Sequence, residues 1–235
     1  MSNNVMQNLK DLLHSYTSFS LEQSKTTFFK AGVGEYAEHD AFLGITVPNL
    51  RKIAKQFKNL SYEELLFLIR SKFNEERLLA LIILVDQYKT ASIQNKENLY
   101  QFYMSHLQQV NNWNLVDASA HLVIGAHLHG KDKSLLLTLA NSDILWERRI
   151  AIVSTWYFIR NNELEWTFKL AFILINDKHD LIHKAVGWML REAGKRNQNE
   201  LMNFLDQHKA TMPRTMLRYA TERFPEDLRK SYLSK

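Results

Sequence analysis

Seven glycines and three prolines in 235 residues leave this chain few residues with which to turn sharply. Ordinary usage would supply roughly 16 glycines and 12 prolines. Sheets joined by hairpins depend on those residues, so their scarcity points to helices joined by short connections. The apolar spacing agrees. Leu50, Ile53, Ala54 and Phe57 follow the i, i+3, i+4, i+7 rhythm of one helix face, and Leu201, Phe204 and Leu205 begin it again. No long stretch alternates with period two. Helix starts are legible as caps. Ser61 with Glu64 has capping-box spacing, as does Asn197 with Glu200. Asn74 stands before Glu75 and Glu76, which suit the positive end of a helix dipole. Thr46 and Thr211 each precede a proline by two residues, near a first turn where proline is tolerated. The pattern predicts about twelve helices, most of about 10–16 residues.

Four segments, starting at Asn74 (NEERLLALII), Asn114 (NLVDASAHLV), Leu145 (LWERRIAIVS) and His179 (HDLIHKAVGW), align on Ala80, Ala120, Ala151 and Ala185 at intervals of 40, 31 and 34 residues. A period of this size belongs to stacked helix pairs, none able to bury its apolar face alone. The expected fold is therefore all-α, a curved α-solenoid or superhelix with a concave groove, in a single domain over residues 1–235.

Other classes fall away. With no cysteine there is no disulfide, zinc-thiolate site or thiol nucleophile. The N-terminal stretch interrupts its apolar pattern with Lys10 and Asp11, unlike a signal peptide. The longest apolar run, Leu78 to Val85, spans eight residues. A membrane span needs about 20. Gly32 and Gly34 have no strand before them and make a poor nucleotide loop. His179 and His183, and likewise His127 and His129, have metal-like spacing but no third ligand is evident, so no metal is expected.

The charge is uneven. Residues 1–177 carry 18 basic and 18 acidic side chains, whereas residues 178–235 carry 12 and 7. In that last stretch Lys184, Trp188, Arg191 and Lys195 share one helix face, and Arg214 and Arg218 stack a turn apart. Cations around a large aromatic suit a polyanion. Arg51, Lys52, Lys55 and Lys58 read more simply as a solvated face.

Three constellations can carry chemistry. In NNWNLVDASAH, Trp113 and Asp117 lie four apart at the opening of a helix, sharing a face. The plainer alternatives are a capping Asp and a half-buried Trp. In LWERRIAI, Arg148 and Arg149 suit phosphate, although one of them should pair internally, with Glu147 or Asp143. In HKAVGWMLREAGKRN, Gly187 interrupts a helix directly before Trp188, a place where a backbone or ligand comes close.

The segments DAFLGITVPNLRKIAK (40–55), NNWNLVD (111–117), WERRIAI (146–152) and HKAVGWMLREAGKR (183–196) together resemble the AlkD-type DNA alkylation-repair glycosylases, built from HEAT-like helical repeats. The resemblance implies excision of cationic N3- or N7-alkylated purines, such as 3-methyladenine and 7-methylguanine, from duplex DNA. It implies no cofactor. It makes Asp117 the catalytic carboxylate, Trp113 and Trp188 its aromatic partners, and Arg149 rather than Arg148 the arginine of the site. Arg148, Arg149, Lys184, Arg191, Lys195, Arg214 and Arg218 become the expected DNA contacts. A monomer is expected, cytoplasmic and nucleoid-associated when bound to DNA. Two departures stand out. The family's lesion-facing N-terminal tyrosine falls in TTFFKAGVGEY, where Phe28, Phe29 or Tyr36 would replace it, and Asn114 stands where an Asp is expected. The competing reading is a helical scaffold that binds DNA or a protein without catalysis.

Overall fold

The computed structural model describes residues 2–234, whose contacts gather into two compact units divided between Ser119 and Ala120. The first unit contains α1 (Ser2–Ser15), α2 (Phe19–Phe28), α3 (Val47–Gln56), α4 (Tyr62–Ile69), α5 (Asn74–Thr90), α6 (Ile93–Met104) and, up to the division, α7 (Trp113–Ala120). The second begins with a π-helical turn at His121–Gly125. It continues through α8 (Ala126–Leu128), α9 (Ser134–Ala140), α10 (Leu145–Arg160), α11 (Glu165–Ile173), α12 (Asp180–Gly194), α13 (Gln198–His208), α14 (Arg214–Ala220) and α15 (Glu226–Leu233). The fold is all-α. Among the described residues extended pairing is confined to an isolated parallel bridge between Ala41 and Phe73. The helices are more numerous and shorter than the apolar rhythm predicts. None among the described residues is long and apolar enough to cross a membrane.

The first unit packs around α5. Every residue from Leu78 to Val85 is buried, so the longest apolar run is a helix covered on all sides by α3, α4 and α6 rather than one with a wet face. In the second unit α12 holds the corresponding place, packed by α10, α11, α13 and α14. Ala80, Ala120, Ala151 and Ala185, the alanines on which the repeat aligns, are all buried.

The helix caps are of several kinds. Ser61 and Glu64 form the reciprocal capping box, and Asn197 accepts from Glu200 N–H at 3.3 Å. Thr46 precedes α3 without a side-chain cap bond, and α14 starts at Arg214 behind Pro213 rather than at Thr211. Asn74 and Glu75 open α5, but neither faces water as a first-turn residue usually does. Glu75 is almost wholly buried. Its Oε2 accepts from Leu43 N–H at 3.0 Å, its Oε1 accepts from Gly44 N–H at 3.1 Å and Ile45 N–H at 3.3 Å, and Lys25 Nζ lies at 2.7 Å. Gly44 is the residue that permits this wrap. Its φ is +73°, and a Cβ there would stand 2.0 Å from the Ser18 carbonyl oxygen.

Asn74 belongs to a second buried network. Its Nδ2 donates to Asp40 Oδ2 at 2.8 Å, and Asn112 Nδ2 donates to the same oxygen at 2.7 Å. Arg77, also buried, pairs with Asp40 Oδ1 and donates to the Ser71 carbonyl at 2.8 Å. Asp40 thus binds α5 to the segment that opens α7. Removing a buried carboxylate strands its arginine in a dry interior. Asp40→Ala should lower the unfolding free energy by about 3–5 kcal/mol, measured as a drop in urea midpoint. Adding Arg77→Met should restore part of the loss, because no buried charge is then left alone.

Candidate functional site

In the first unit the site residues stand on α7, and the neighbouring asparagines fix where they point. Asn112 is fully buried. Its Oδ1 accepts from Trp113 N–H at 2.7 Å while its Nδ2 holds Asp40. Asn114 exchanges hydrogen bonds with Asn74, donating to Oδ1 at 2.7 Å and accepting from Nδ2 at 3.3 Å. This explains the departure from the expected Asp. An ionised carboxylate at residue 114 has no donor for Asn74 Oδ1 and would add a second negative charge near Asp40.

With α7 held this way, the Trp113 ring stacks on Phe29 at 5.0 Å between centroids and 18° between planes. Phe29 is buried and stacks in turn on Phe42 at 5.1 Å. Phe28 lies edge-on to Trp113 at 5.8 Å and is 65% exposed. Phe29 is therefore a core ring supporting Trp113, Phe28 is the open aromatic beside it, and Tyr36 is half-buried. Asp117, one helical turn after Trp113, is half-buried, as is Trp113 itself.

In the second unit the tandem arginines have separate tasks. Arg148 Nε donates to Asp177 Oδ2 at 2.6 Å, and its Nη1 donates to the carbonyls of Ser142 and Asp143, each at 2.9 Å. The internal pairing expected for one of the two falls on Arg148, with Asp177 as its carboxylate rather than Glu147 or Asp143. Arg149 is only 5% exposed and donates from Nη1 to the Leu181 carbonyl at 2.6 Å, tying α10 to the first turn of α12.

The histidine pair at 179 and 183 is occupied by this same helix start. His179 Nδ1 accepts from Leu181 N–H at 3.2 Å as the cap of α12, and His183 Nε2 lies 2.5 Å from the Asp177 carbonyl. His127 Nε2 lies 3.0 Å from Lys131 Nζ. Among the described residues no group of three or more His, Asp or Glu is placed to hold a metal ion.

Gly187 lets α12 lie against α14. A Cβ there would come within 2.5 Å of the Met216 carbonyl oxygen and of Tyr219 Cβ, so the close neighbour is a backbone, as the sequence suggested. Half-buried Trp188 follows on α12 and meets Trp156 of α10 edge-on at 4.9 Å. The cations of its face carry their own acids. Lys184 lies 2.6 Å from Asp180, Lys195 lies 2.7 Å from Glu192, and Arg191 pairs with Glu222. Arg214 donates to the Leu233 carbonyl, and Arg218 is exposed. Arg51, Lys52, Lys55 and Lys58 are exposed, the solvated face expected of them.

Sequence reasoning missed Trp156 and His121, which lie outside the quoted motifs or at their edge. It also passed over Asp40 and Asn112 as anchors, although both stand inside quoted segments.

A family model described as DNA alkylation repair enzyme matches residues 9–224. The chain belongs to the DNA alkylation repair enzyme family. It is similar in fold to a solved structure titled "Predicted DNA alkylation repair enzyme" from Enterococcus faecalis, with 16% identity and a TM-score of 0.68 over 89% of this chain and 97% of that one. No curated protein matches it.

His179 supplies a pH-dependent element of this family member's second unit. Burial lowers its pKa from the usual 6.5, which keeps Nδ1 free of a proton and able to accept the Leu181 N–H. The unfolded chain then binds the proton more tightly than the folded one. The cap's contribution is complete above pH 6.5 and is lost as the pH falls through the lowered folded value. His179→Asn, which keeps a cap acceptor that does not titrate, should lose less stability than wild type between about pH 7 and pH 5, compared by urea midpoints.

Proposed function

We propose that this chain is a DNA glycosylase that hydrolyses the N-glycosidic bond of cationic N3- or N7-alkylated purines, such as 3-methyladenine and 7-methylguanine, in duplex DNA. The observation that carries the reading is the half-buried carboxylate of Asp117 set one turn from an indole, Trp113, in a member of a DNA alkylation repair family. A carboxylate weakens binding to a polyanion, so a pure DNA scaffold gains nothing from it. A site that must stabilise a sugar cation does.

The chemistry follows from the lesion. Alkylation at N3 or N7 makes the purine a cation, and the electrons of the breaking C1′–N bond return to it and release it neutral. Leaving-group activation is thus supplied by the damage. The deoxyribose becomes oxocarbenium-like. Asp117 stabilises that charge and orients the water whose oxygen bonds to C1′, its proton passing to solvent. The electron-rich faces of Trp113 and Trp188 favour the same developing charge, and exposed Phe28 takes the place of the family's N-terminal tyrosine. Arg149 is assigned to the sugar-phosphate backbone. Its burial makes it the deepest of the proposed phosphate contacts. Lys184, Arg191, Lys195, Arg214 and Arg218 supply the remaining positive charge. Arg148 is assigned to the same set, although Asp177 already holds it. Selectivity comes from the lability of cationic lesions, so uracil should be a poor substrate. A monomer, cytoplasmic and nucleoid-associated when bound to DNA, is part of the same proposal.

The decisive experiment incubates the purified protein with methylated duplex DNA in EDTA and measures free 7-methylguanine and 3-methyladenine. Asp117→Asn should bind DNA at least as tightly as wild type and excise about 100-fold or more slowly. Normal excision by this variant removes Asp117 from the chemistry. Binding without release by wild type assigns the chain to the non-catalytic scaffolds. Arg149→Ala should weaken binding and reduce the slope of log affinity against log salt by about one. An unchanged slope with a lowered melting temperature would remove Arg149 from the phosphate contacts and leave it a structural role, such as its bond to the Leu181 carbonyl.

A further inference from the structure

The second unit contains an aromatic series that its charged surface does not explain. His121, Trp156 and Trp188 come from three separate elements, the π-helical turn, α10 and α12. The His121 and Trp156 ring centroids are 4.4 Å apart, tilted by 40°, and Trp156 meets Trp188 at 4.9 Å with 63° between planes. His121 is buried while both indoles are half-buried, so the series runs from the interior toward the surface.

Each member is held by tight backbone packing. A Cβ on Gly125, the last residue of the π-helical turn, would stand 2.3 Å from the Ser154 carbonyl oxygen and 2.9 Å from Tyr157 Cβ. The turn therefore sits against α10 on either side of Trp156. The five-residue spacing of a π turn carries one more residue than a helical turn and re-aims the side chains next to it, a device common at functional sites. Behind Trp188, Gly187 presses α12 onto α14. The Arg149–Leu181 bond fixes α10 against the start of α12. An indole standing alone on a helix face would sample several rotamers. Here the ring of Trp156, 4.9 Å away and steeply inclined, limits those open to Trp188.

We infer that Trp156 is a positioning residue for Trp188, and that His121 acts behind it by holding Trp156 in place. The inference rests on the proposed role of Trp188 beside the alkylated nucleotide. Trp156 acts through the orientation of the neighbouring indole. Its removal lets Trp188 rotate away from the sugar while leaving the cations of α12, and so most of the DNA affinity, as they were.

The test compares Trp156→Leu, Trp156→Phe, Trp188→Leu and the double leucine variant. Excision of 7-methylguanine is followed at saturating protein, DNA affinity is measured separately, and circular dichroism of the free protein is recorded in the indole region. Two indoles this close couple their transitions and give a paired band that either single leucine substitution should abolish. Trp156→Leu should excise about tenfold more slowly, the scale of one aromatic pair, with affinity changed by less than about threefold. Trp156→Phe, which keeps an aromatic ring there, should recover part of the rate. The double variant should be no slower than Trp188→Leu alone. Two rate losses that multiply, or a Trp156→Leu variant at wild-type rate, overturn the inference. Unaltered excision by Trp188→Leu, or none by wild type, would instead refute the assigned function. The paired band then decides the inference by itself: its absence from wild type, or its persistence in Trp156→Leu, overturns it.

Discussion

The first unit depends on the carboxylate of Asp40. It is buried, and its two oxygens receive Arg77, Asn74 and Asn112. A charge in that position is costly to desolvate and tolerable only when fully bonded, which makes the arrangement sensitive to geometry. That sensitivity has a consequence for α7. Asn112 is the residue immediately before the helix, and the same side chain that donates to Asp40 also caps Trp113 N–H. Any rotation of α7 that moved Trp113 or Asp117 would break a bond to a buried ion. Apolar packing alone tolerates small slips of a helix about its axis. A buried carboxylate with directional partners does not, and Asn114 paired to Asn74 repeats the restraint two residues along.

What the sequence revealed and what it hid follow the same physics. Helical character was legible because it is a local property, written in apolar spacing and in the shortage of turn residues. The capping box at Ser61 and the cap at Asn197 were legible because both partners lie within four residues. That a helix starts at Asn74 with Glu75 in its first turn was legible, but the burial of both side chains was not, because their partners lie elsewhere in the sequence. Asp40 is 34 residues from Asn74, and the backbone donors that surround Glu75 are 30 to 32 residues from it. The Arg pair was half-legible: that one arginine would be taken internally followed from local acids, but Asp177, 29 residues on, lay beyond any local rule. Trp156 had no signal at all. Its significance is its distance to Trp188, and nothing in the sequence around it records that.

The two units support their indoles differently. Trp113 lies flat against Phe29, which lies flat against Phe42, so one face of its ring is covered by a stack reaching into the core. Stacking of this kind fixes the ring plane and leaves its edges and opposite face to meet other groups. Trp188 is met by the ring of Trp156 at a steep angle. Edge-on contact places positive ring-edge hydrogens against an electron-rich face and fixes the ring by its quadrupole as well as by its shape.

The cations of α12 add a last constraint. Lys184, Lys195 and Arg191 are each paired with an acid, and two of these acids, Asp180 and Glu192, lie on the same helix. The Lys184–Asp180 pair is open to water, and exposed pairs contribute at most about 1 kcal/mol. They order the side chains without holding them strongly. A phosphate arriving at such a pair competes with one carboxylate for a lysine or arginine whose side chain is already extended, so less rotamer entropy remains to be lost on binding. The displaced carboxylate returns to water, where it is readily solvated. If these cations meet DNA as proposed, the local acids moderate affinity for undamaged DNA, since each cation gains only the difference between a phosphate and its own partner. Under the function proposed above, that restraint would favour release from undamaged sites and leave discrimination to Asp117 and the indoles assigned to the sugar.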